Sequence, residues 1–232
     1  EGDHTLTVRQ TDQYGNGPGP ESDPVTISID ITPPNVPVSV DLFDLNDSGI
    51  SSVDNITDNT SLVFLGFAEP DSTVVLSSSL QTETASGTSD IGGFWTISFA
   101  LGEGSQDITA TATDVAGNIS SASVALNVTI DTTATVITFD PQTAADNTPE
   151  LTGTVNEETA SIVVVVDGQS LPADNNGDNT WTLAAGALNA LADGTYNVVV
   201  STTDVAGNTG TSNSATGLTS DTVDPTAPTG LD

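Results

Sequence analysis

The sequence predicts an all-β chain built as a tandem array of small β-sandwiches, and three observations predict it. A nine-residue segment occurs three times, as VRQTDQYGN at 8–16, ATATDVAGN at 110–118 and VSTTDVAGN at 200–208. Each copy is an alternating strand entering an acidic turn. The turn aspartates Asp12, Asp114 and Asp204 are spaced by 102 and 90 residues, which suits one sandwich per repeat. A second mark keeps step: 17 or 18 residues beyond each turn lies another aspartate, Asp30 in SIDITPP, Asp131 in TIDTTAT and Asp221 in TSDTVDPTAP. The third observation is the period of two in the apolar residues, as in DITATAT, where Ile108, Ala110 and Ala112 point inward and Thr109, Thr111 and Thr113 face water.

The second mark reads as a linker. Pro33, Pro34 and Pro37 after Asp30, and Pro225 and Pro228 after Asp221, bar a strand from continuing in the same sheet. Boundaries therefore fall near 32–37, 131–135 and 222–228. Residues 1–31 read as the C-terminal strands of an incomplete repeat, 36–131 and 132–222 as whole domains, and 223–232 as a linker and the start of a following repeat. The chain reads as a slice of a longer one. Each whole repeat has the length to bury a core without disulfides.

In the first whole repeat the expected strands are 38–43, 62–68, 73–78, 80–86, 94–100, 106–113 and 122–130, with Val124, Leu126, Val128 and Ile130 inward. In the second they are 134–139, 150–155, 160–167, 179–184, 195–203 and 213–219. Trp181 matches Trp95 of GGFWTISF, and one tryptophan per repeat on an alternating strand reads as core. The stretch LAAGALNALADG at 183–194 departs from strand character and reads as a short helical or irregular turn.

Composition restricts the setting. Arg9 is the one Lys or Arg side chain against 32 acidic ones, for a formal charge of −31. Nucleic acid and anionic lipid would repel such a chain, since counterion release requires Lys and Arg, and the partners it favours are cations. Its hydrophobic residues make up 35% of the sequence and fall in alternating runs, which argues for folded strands over disorder. The chain has no cysteine or methionine, so thiol metal sites and redox chemistry are absent. No apolar run reaches the 18 or so residues of a membrane span and no basic-plus-apolar leader opens the sequence, so direct membrane insertion is not expected and any signal or anchor is placed outside this slice. Catalysis is not expected either: there is no lysine, and the single imidazole, His4, sits beside Asp3 in the partial repeat.

The segments DNTPELTGTVNEETASIVV at 146–164 and LADGTYNVVVSTTDVAGN at 191–208, with the Asp-x-Thr linkers, resemble the bacterial immunoglobulin-like repeats of giant Bap-like and RTX surface adhesins exported by type I secretion. The resemblance covers almost the whole chain. It implies tandem immunoglobulin-like sandwiches in an elongated array, monomeric within a longer chain, with neighbouring repeats and calcium ions as partners. It also implies a bacterial cell-surface location, tethered to the outer membrane through regions outside this slice, and a role in adhesion and biofilm formation.

Calcium at the junctions is part of what the resemblance implies. Topology alone leaves the ligands unplaced. The family pattern draws them from the turn aspartate, the linker aspartate and an acidic loop of a neighbouring domain. Carried over residue by residue, it gives Asp12, Asp30 and Asp58 at the first junction, Asp114, Asp131 and Asp146 at the second, and Asp204 and Asp221, with Asp224 as an addition, at the third. Oxygen-only sets without Lys or Arg suit calcium, which takes six to eight such ligands. The alternative for each is a turn residue, since Asp and Asn next to Gly are favoured in any hairpin.

A separate cluster, Asp44, Asn46, Asp47, Asp54 and Asp58, crowds DLNDSGISSVDNITDNT at 44–60, which the second repeat lacks. It reads as a calcium loop of non-EF-hand spacing or as a solvated connection. The leading function is a non-catalytic structural extender with calcium-stiffened joints. The alternatives are a module binding a glycan, cell or surface, for which Tyr14, Tyr196, Phe43 and an exposed Trp95 would speak, and a filament subunit completed by strand donation.

Overall fold

The computed structural model describes residues 1–225; Pro228 and the rest of 226–232, the expected start of a following repeat, lie outside them. The described residues form strands and no helix. They make two compact units. One comprises Glu1–Phe43, Leu62–Ala100 and Gln106–Asn127, and the other Asp44–Ser61, Leu101–Ser105 and the chain from Val128. The acidic loop of the first whole repeat thus belongs to the second unit.

The first unit opens with an antiparallel hairpin of β1 (Gly2–Leu6) and β2 (Val25–Ile29), Gly2 facing Ile29 and Leu6 facing Val25. Its apolar side chains Leu6, Val25, Ile27 and Ile29 are exposed, whereas Val128 and Ile130, their counterparts of Ile27 and Ile29 counted back from the linker aspartate, are buried. The first whole repeat then supplies β3 (Val38–Leu42), β4 (Ile56–Thr57), β5 (Ser61–Phe67), β6 (Thr73–Ser78), β7 (Thr84–Thr88), β8 (Phe94–Ala100), β9 (Gly104–Thr113) and β10 (Leu126–Ile130). They form a three-stranded sheet, β3-β5-β8, and a five-stranded sheet, β4-β10-β9-β6-β7. Alternation decides which residues go inside: Leu62 and Phe64 on β5, Trp95, Ile97 and Phe99 on β8, and Ile108, Ala110 and Ala112 on β9 are all buried. Each fully buried aliphatic side chain stabilises the fold by about 1.5–3 kcal/mol.

Two expectations are corrected here. The strand placed at 122–130 begins only at Leu126, and Val124 is 90% exposed. The preceding residues cap β9 with hydroxyls instead: Ser120 Oγ accepts from Ala112 N and Ser123 Oγ from Ala110 N, each at 2.9 Å. The strand placed at 80–86 is β7, at 84–88.

In the second unit β11 (Gln142–Ala144), β12 (Leu151–Thr154), β13 (Ser161–Val166), β14 (Gln169–Asn175), β15 (Thr180–Leu183), β16 (Gly194–Thr203) and β17 (Thr209–Ser220) take the order β11-β17-β16-β13-β14-β15-β12. Neither β14 nor β11 was expected, since the first carries Pro172 and alternates half-buried with exposed residues and the second is three residues long. The strand expected at 134–139 reduces to the single bridge Ile137–Val155, flanked by Thr138 N→Thr154 O at 2.8 Å. Between β15 and β16, residues 184–193 are irregular rather than helical. They drop Leu188 and Leu191 into the core, held by Gly186 N→Thr148 O and Leu191 N→Asn147 O, both 2.9 Å.

Both tryptophans are core, Trp95 being 1% and Trp181 0% exposed. Each lies over a glycine: a Cβ on Gly66 would stand 2.5 Å from Trp95 Cζ2, and one on Gly153 2.6 Å from Trp181 Nε1. Trp181 Nε1 also donates to Thr138 O at 2.8 Å.

Candidate cation site at the acidic turns and linkers

In all three TD-x-x-GN turns the aspartate accepts from main-chain amides of its own turn and from the closing asparagine. Oδ1 of Asp12 accepts from the main-chain N of Tyr14 and Asn16, that of Asp114 from Ala116 and Asn118, and that of Asp204 from Gly207 and Asn208. The asparagine at the fourth position closes the ring through Nδ2 to Oδ2, at 2.7, 2.8 and 3.0 Å. Glycine precedes it because φ there is +82° to +105°. Bonds from the asparagine side chain first, and then from main-chain amides, hold the Asp12 and Asp114 carboxyls below their ordinary value.

The same asparagines reach the linkers. Asn118 Nδ2 donates to Asp30 O at 3.2 Å and Asn208 Nδ2 to Asp131 O at 2.8 Å. Each linker aspartate therefore meets the turn of the repeat that follows it, and not the turn that precedes it. The register of β16 and β17 explains this. Thr203 faces Thr209 beside the turn, and Gly194, nine residues away along the strand, faces Ser220 beside Asp221. At about 3.4 Å per residue, Asp204 and Asp221 lie roughly 30 Å apart.

The acidic loops shift in the same sense. Asp58 N donates to Ala206 O and Asp131 N to Thr57 O, so Asp58 stands at the second junction with Asp131 and Asp204. Thr57 pairs with Ile130 as Ala144 pairs with Ser220, which makes Asn59 the counterpart of Asp146; each holds the amide two residues on. Asp146 lies near the third linker, where Asp221 N donates to Ala144 O. The structure thus brings together Asp30 with the Asp114 turn, and Asp58 with Asp131 and Asp204, but none of the three sets drawn from the resemblance.

Acids that sequence reasoning passed over complete these joints. Glu103 accepts from Thr132 and, at 2.8 Å, from Thr133; Asp193 accepts from Thr222 Oγ1 at 2.8 Å; Glu1 accepts from Thr32 Oγ1 at 2.6 Å. All three stand eleven residues before a turn aspartate, a spacing readable in the sequence. The Thr132 and Thr133 hydroxyls hold the Glu103 carboxyl low, and the Thr222 amide and hydroxyl do so for Asp193. Glu157, which no spacing marks, is pushed up by burial and then by the charges of Asp131 and Asp204.

The loop at 44–58 is docked. Ser48 Oγ donates to Ala206 O at 2.9 Å, Ile50 N to Val205 O at 3.2 Å, and Gly49 packs so closely that a Cβ there would stand 2.0 Å from Val205 O. Asp47 is 6% exposed, and its Oδ2 takes Asn55 N at 3.0 Å; Asp54 Oδ1 takes Ile56 N, and Asp44 is exposed.

Asp131, Asp204 (3% exposed), Glu157 and Asp58 offer oxygen donors, and the chain's one Lys or Arg side chain, Arg9, is paired with Glu21 at 2.6 Å. In donor type and charge these residues fit a hard divalent cation. Among the described residues no three acidic or imidazole side chains converge into a cage, and both Asp204 oxygens accept bonds from their own turn.

Compared in sequence, no curated protein matches the chain. Among solved structures it is similar to a chain described as a "Ca2+-stabilized adhesin" that "helps an Antarctic bacterium reach out and bind ice", with 20% identity over 94% of this chain and 57% of that one, at a TM-score of 0.40. It is also similar to a tetra-tandem repeat in the extending region of a large adhesion protein, with 21% identity over 95% and 57% of the two chains, at a TM-score of 0.37. A third likeness is to a 1.5-MDa bacterial ice-binding adhesin, with 18% identity over 82% and 66%, at 0.40. The chain spans 57–66% of these chains, and with TM-scores below 0.5 the likenesses add nothing to what a family match shows. That match is to the bacterial Ig-like domain, over residues 33–132 and again over 138–222. Two copies of the pattern cover most of the sequence, and the chain belongs to the bacterial Ig-like domain family.

Proposed function

We propose that this chain is a non-catalytic extender region of a large bacterial surface adhesin, whose joints between Ig-like repeats are stiffened by calcium. The observation that carries the reading is the repeated link from turn to preceding linker, Asn118 to Asp30 and Asn208 to Asp131, which makes each joint a defined contact. Similar chains include one named as a calcium-stabilised adhesin and one named as an extending region.

At the second joint Asp131, Asp204, Glu157 and Asp58 would hold the ion. Two carboxylates about 4 Å apart in water repel by roughly 1 kcal/mol, and more where they are partly buried. Burial first, and then the charges of Asp131 and Asp204, push the Glu157 carboxyl up. Calcium, when bound, supplies the missing positive charge. The chain's own residues do the rest: the asparagine holds the linker carbonyl, the threonine–acid bonds fix the linker's path, and the docked loop closes one side. For an extracellular site of about 0.1 mM affinity in about 10 mM calcium, binding would stabilise the ordered joint by about 2.7 kcal/mol.

Calorimetry tests this. In calcium the melting temperature of a repeat of this size should rise by about 10–20 °C over that in excess chelator. A melting curve indifferent to calcium would return the junction aspartates to plain turn residues. Of the aromatic candidates for the ligand-binding alternative, Trp95 is buried and Tyr196 OH donates to Ala192 O at 2.8 Å as a corner tie, while Tyr14 and Phe43 are exposed.

A further inference from the structure

We propose that the outer face of the β3-β5-β8 sheet, in the first whole repeat, docks a basic and apolar segment of a partner protein, with a lysine or arginine seated against Glu69. The observation that carries this is a difference between the two repeats. Leu62 and Phe64 point into the core, so Val63, Leu65 and Phe67 point out. Trp95 points in, so Phe94 points out, and Val38 faces Phe67 across the strand pair. Gly66 under Trp95 aligns with Gly153 under Trp181, and the same outward positions in the second repeat hold Glu150, Thr152, Thr154, Thr180 and Thr138.

Every one of these apolar side chains is thus replaced by threonine or glutamate in the repeat that follows. A sheet face left to water reads polar, as the second repeat's does. In the first repeat Val38 is 58%, Phe67 46% and Phe94 38% exposed, and the Phe67 and Phe94 rings stand 5.5 Å apart as a tilted pair. An exposed apolar patch with a polar rim marks an interaction surface.

Charge decides the occupant. Beside the patch runs a groove of about 260 Å³, lined by Val36, Val38, Phe67 and Pro70, with Glu69 as its charged residue. A lysine or arginine fits that combination: its alkyl stem lies along the valines, its head reaches the carboxylate, and the Phe67 ring adds attraction for a cation. Asp41, opposite Leu65, and Asp90, whose Oδ1 takes Phe94 N at 2.9 Å, add negative charge at the rim. In the second repeat the position of Glu69 belongs to Asn156, a neutral residue whose Oδ1 takes Val136 N at 2.6 Å. The carboxylate in the groove therefore goes with the apolar face. A second copy of the chain does not complement it, because each copy carries a formal charge of −31 and its one Lys or Arg side chain, Arg9, is bound to Glu21. Anionic lipid is repelled on the same ground.

The inference goes beyond the extender reading and takes nothing from calcium at the joints. Titration calorimetry of the full chain with two synthetic peptides of about eight residues, one alternating lysine with leucine and one alternating lysine with serine, separates apolar docking from charge alone, since alternate residues of an extended strand share a face. The lysine–leucine peptide should bind at least about tenfold more tightly than the lysine–serine peptide. The triple variant Val38→Thr, Phe67→Thr, Phe94→Thr places the second repeat's own residues on this face without changing the charge, and it should abolish that preference while melting as a folded repeat. Glu69→Asn, which leaves the apolar face intact, should weaken the lysine–leucine peptide by about threefold or more. Equal binding of the two peptides by the parent, or a preference that survives the triple variant, would overturn the proposal. A parent dimer in sedimentation that the triple variant loses would overturn it as well, and would assign the face to a second copy.

Discussion

Replacing Gly49 with alanine tests the docking of the acidic loop directly. Gly49 has φ +94°, where an L side chain is strained by about 1–2 kcal/mol, and its Cβ would stand 2.0 Å from Val205 O and 2.8 Å from Ala206 C. Those are main-chain atoms of a turn fixed by Asp204 and Asn208, so they cannot move aside as the end of a flexible side chain would. The cheapest relief is for residues 48–50 to lift away, which breaks three bonds: Ser48 Oγ to Ala206 O, Ile50 N to Val205 O and Asp58 N to Ala206 O. At about 0.5–1.5 kcal/mol each, roughly 1.5–4.5 kcal/mol of docking is at stake. Amide exchange of Ile50 and Asp58 in Gly49→Ala should therefore speed up by about 10- to 1000-fold, with the core amides of β9 and β16 unchanged. Exchange equal to that of the parent would show that the loop does not rest on the turn, and the joint as described would lose its closing element.

Three further outcomes are expected. Gly153→Ala forces a Cβ to 2.0 Å from Thr138 O and onto Trp181 Nε1, so overpacking and the lost indole bond should together cost about 2–5 kcal/mol, read as a lower melting temperature for the second repeat alone. Asn208→Ala removes the bonds to Asp131 O and Asp204 Oδ2 and should destabilise the second unit by about 1.5–3 kcal/mol in a denaturant melt; a neutral result would strip the asparagine of its joint role. Glu157 has its pKa raised in the fold, so the folded state holds a proton that the unfolded state releases. Its contribution to stability without calcium is present below the ordinary value of 4.5 and is lost as pH rises through the higher folded value. Glu157→Gln should flatten that fall in a chelator-containing pH series, while added calcium should displace the proton and weaken in affinity as pH drops.

The sequence carried much of the fold in legible form because the repeats and the period of two are local signals. The turn motif, the paired tryptophans and the inward Ile108, Ala110 and Ala112 needed no partner to be recognised. What failed was whatever depended on a distant strand. β14 carries a proline and little apolar pattern, and it exists because β13 and β15 offer it ladder bonds on either side. Val124 reads as inward by alternation, yet serine hydroxyls take the place of a strand there. The site was half legible for the same reason. The aspartates could be named, but which of them meet is decided by the ends of a hairpin, and a hairpin about 30 Å long separates Asp204 from Asp221. The acids eleven residues ahead of each turn were readable and overlooked, whereas Glu157 is brought to the joint by folding alone.

The most direct measurement is small-angle scattering of the chain in millimolar calcium and again in excess chelator. In calcium the profile should be that of an extended particle of fixed shape, and in chelator it should broaden into an ensemble of variable extension, with Glu157→Gln resembling the chelator sample even when calcium is present. Scattering that is identical in the two conditions would contradict the claim that calcium stiffens these joints.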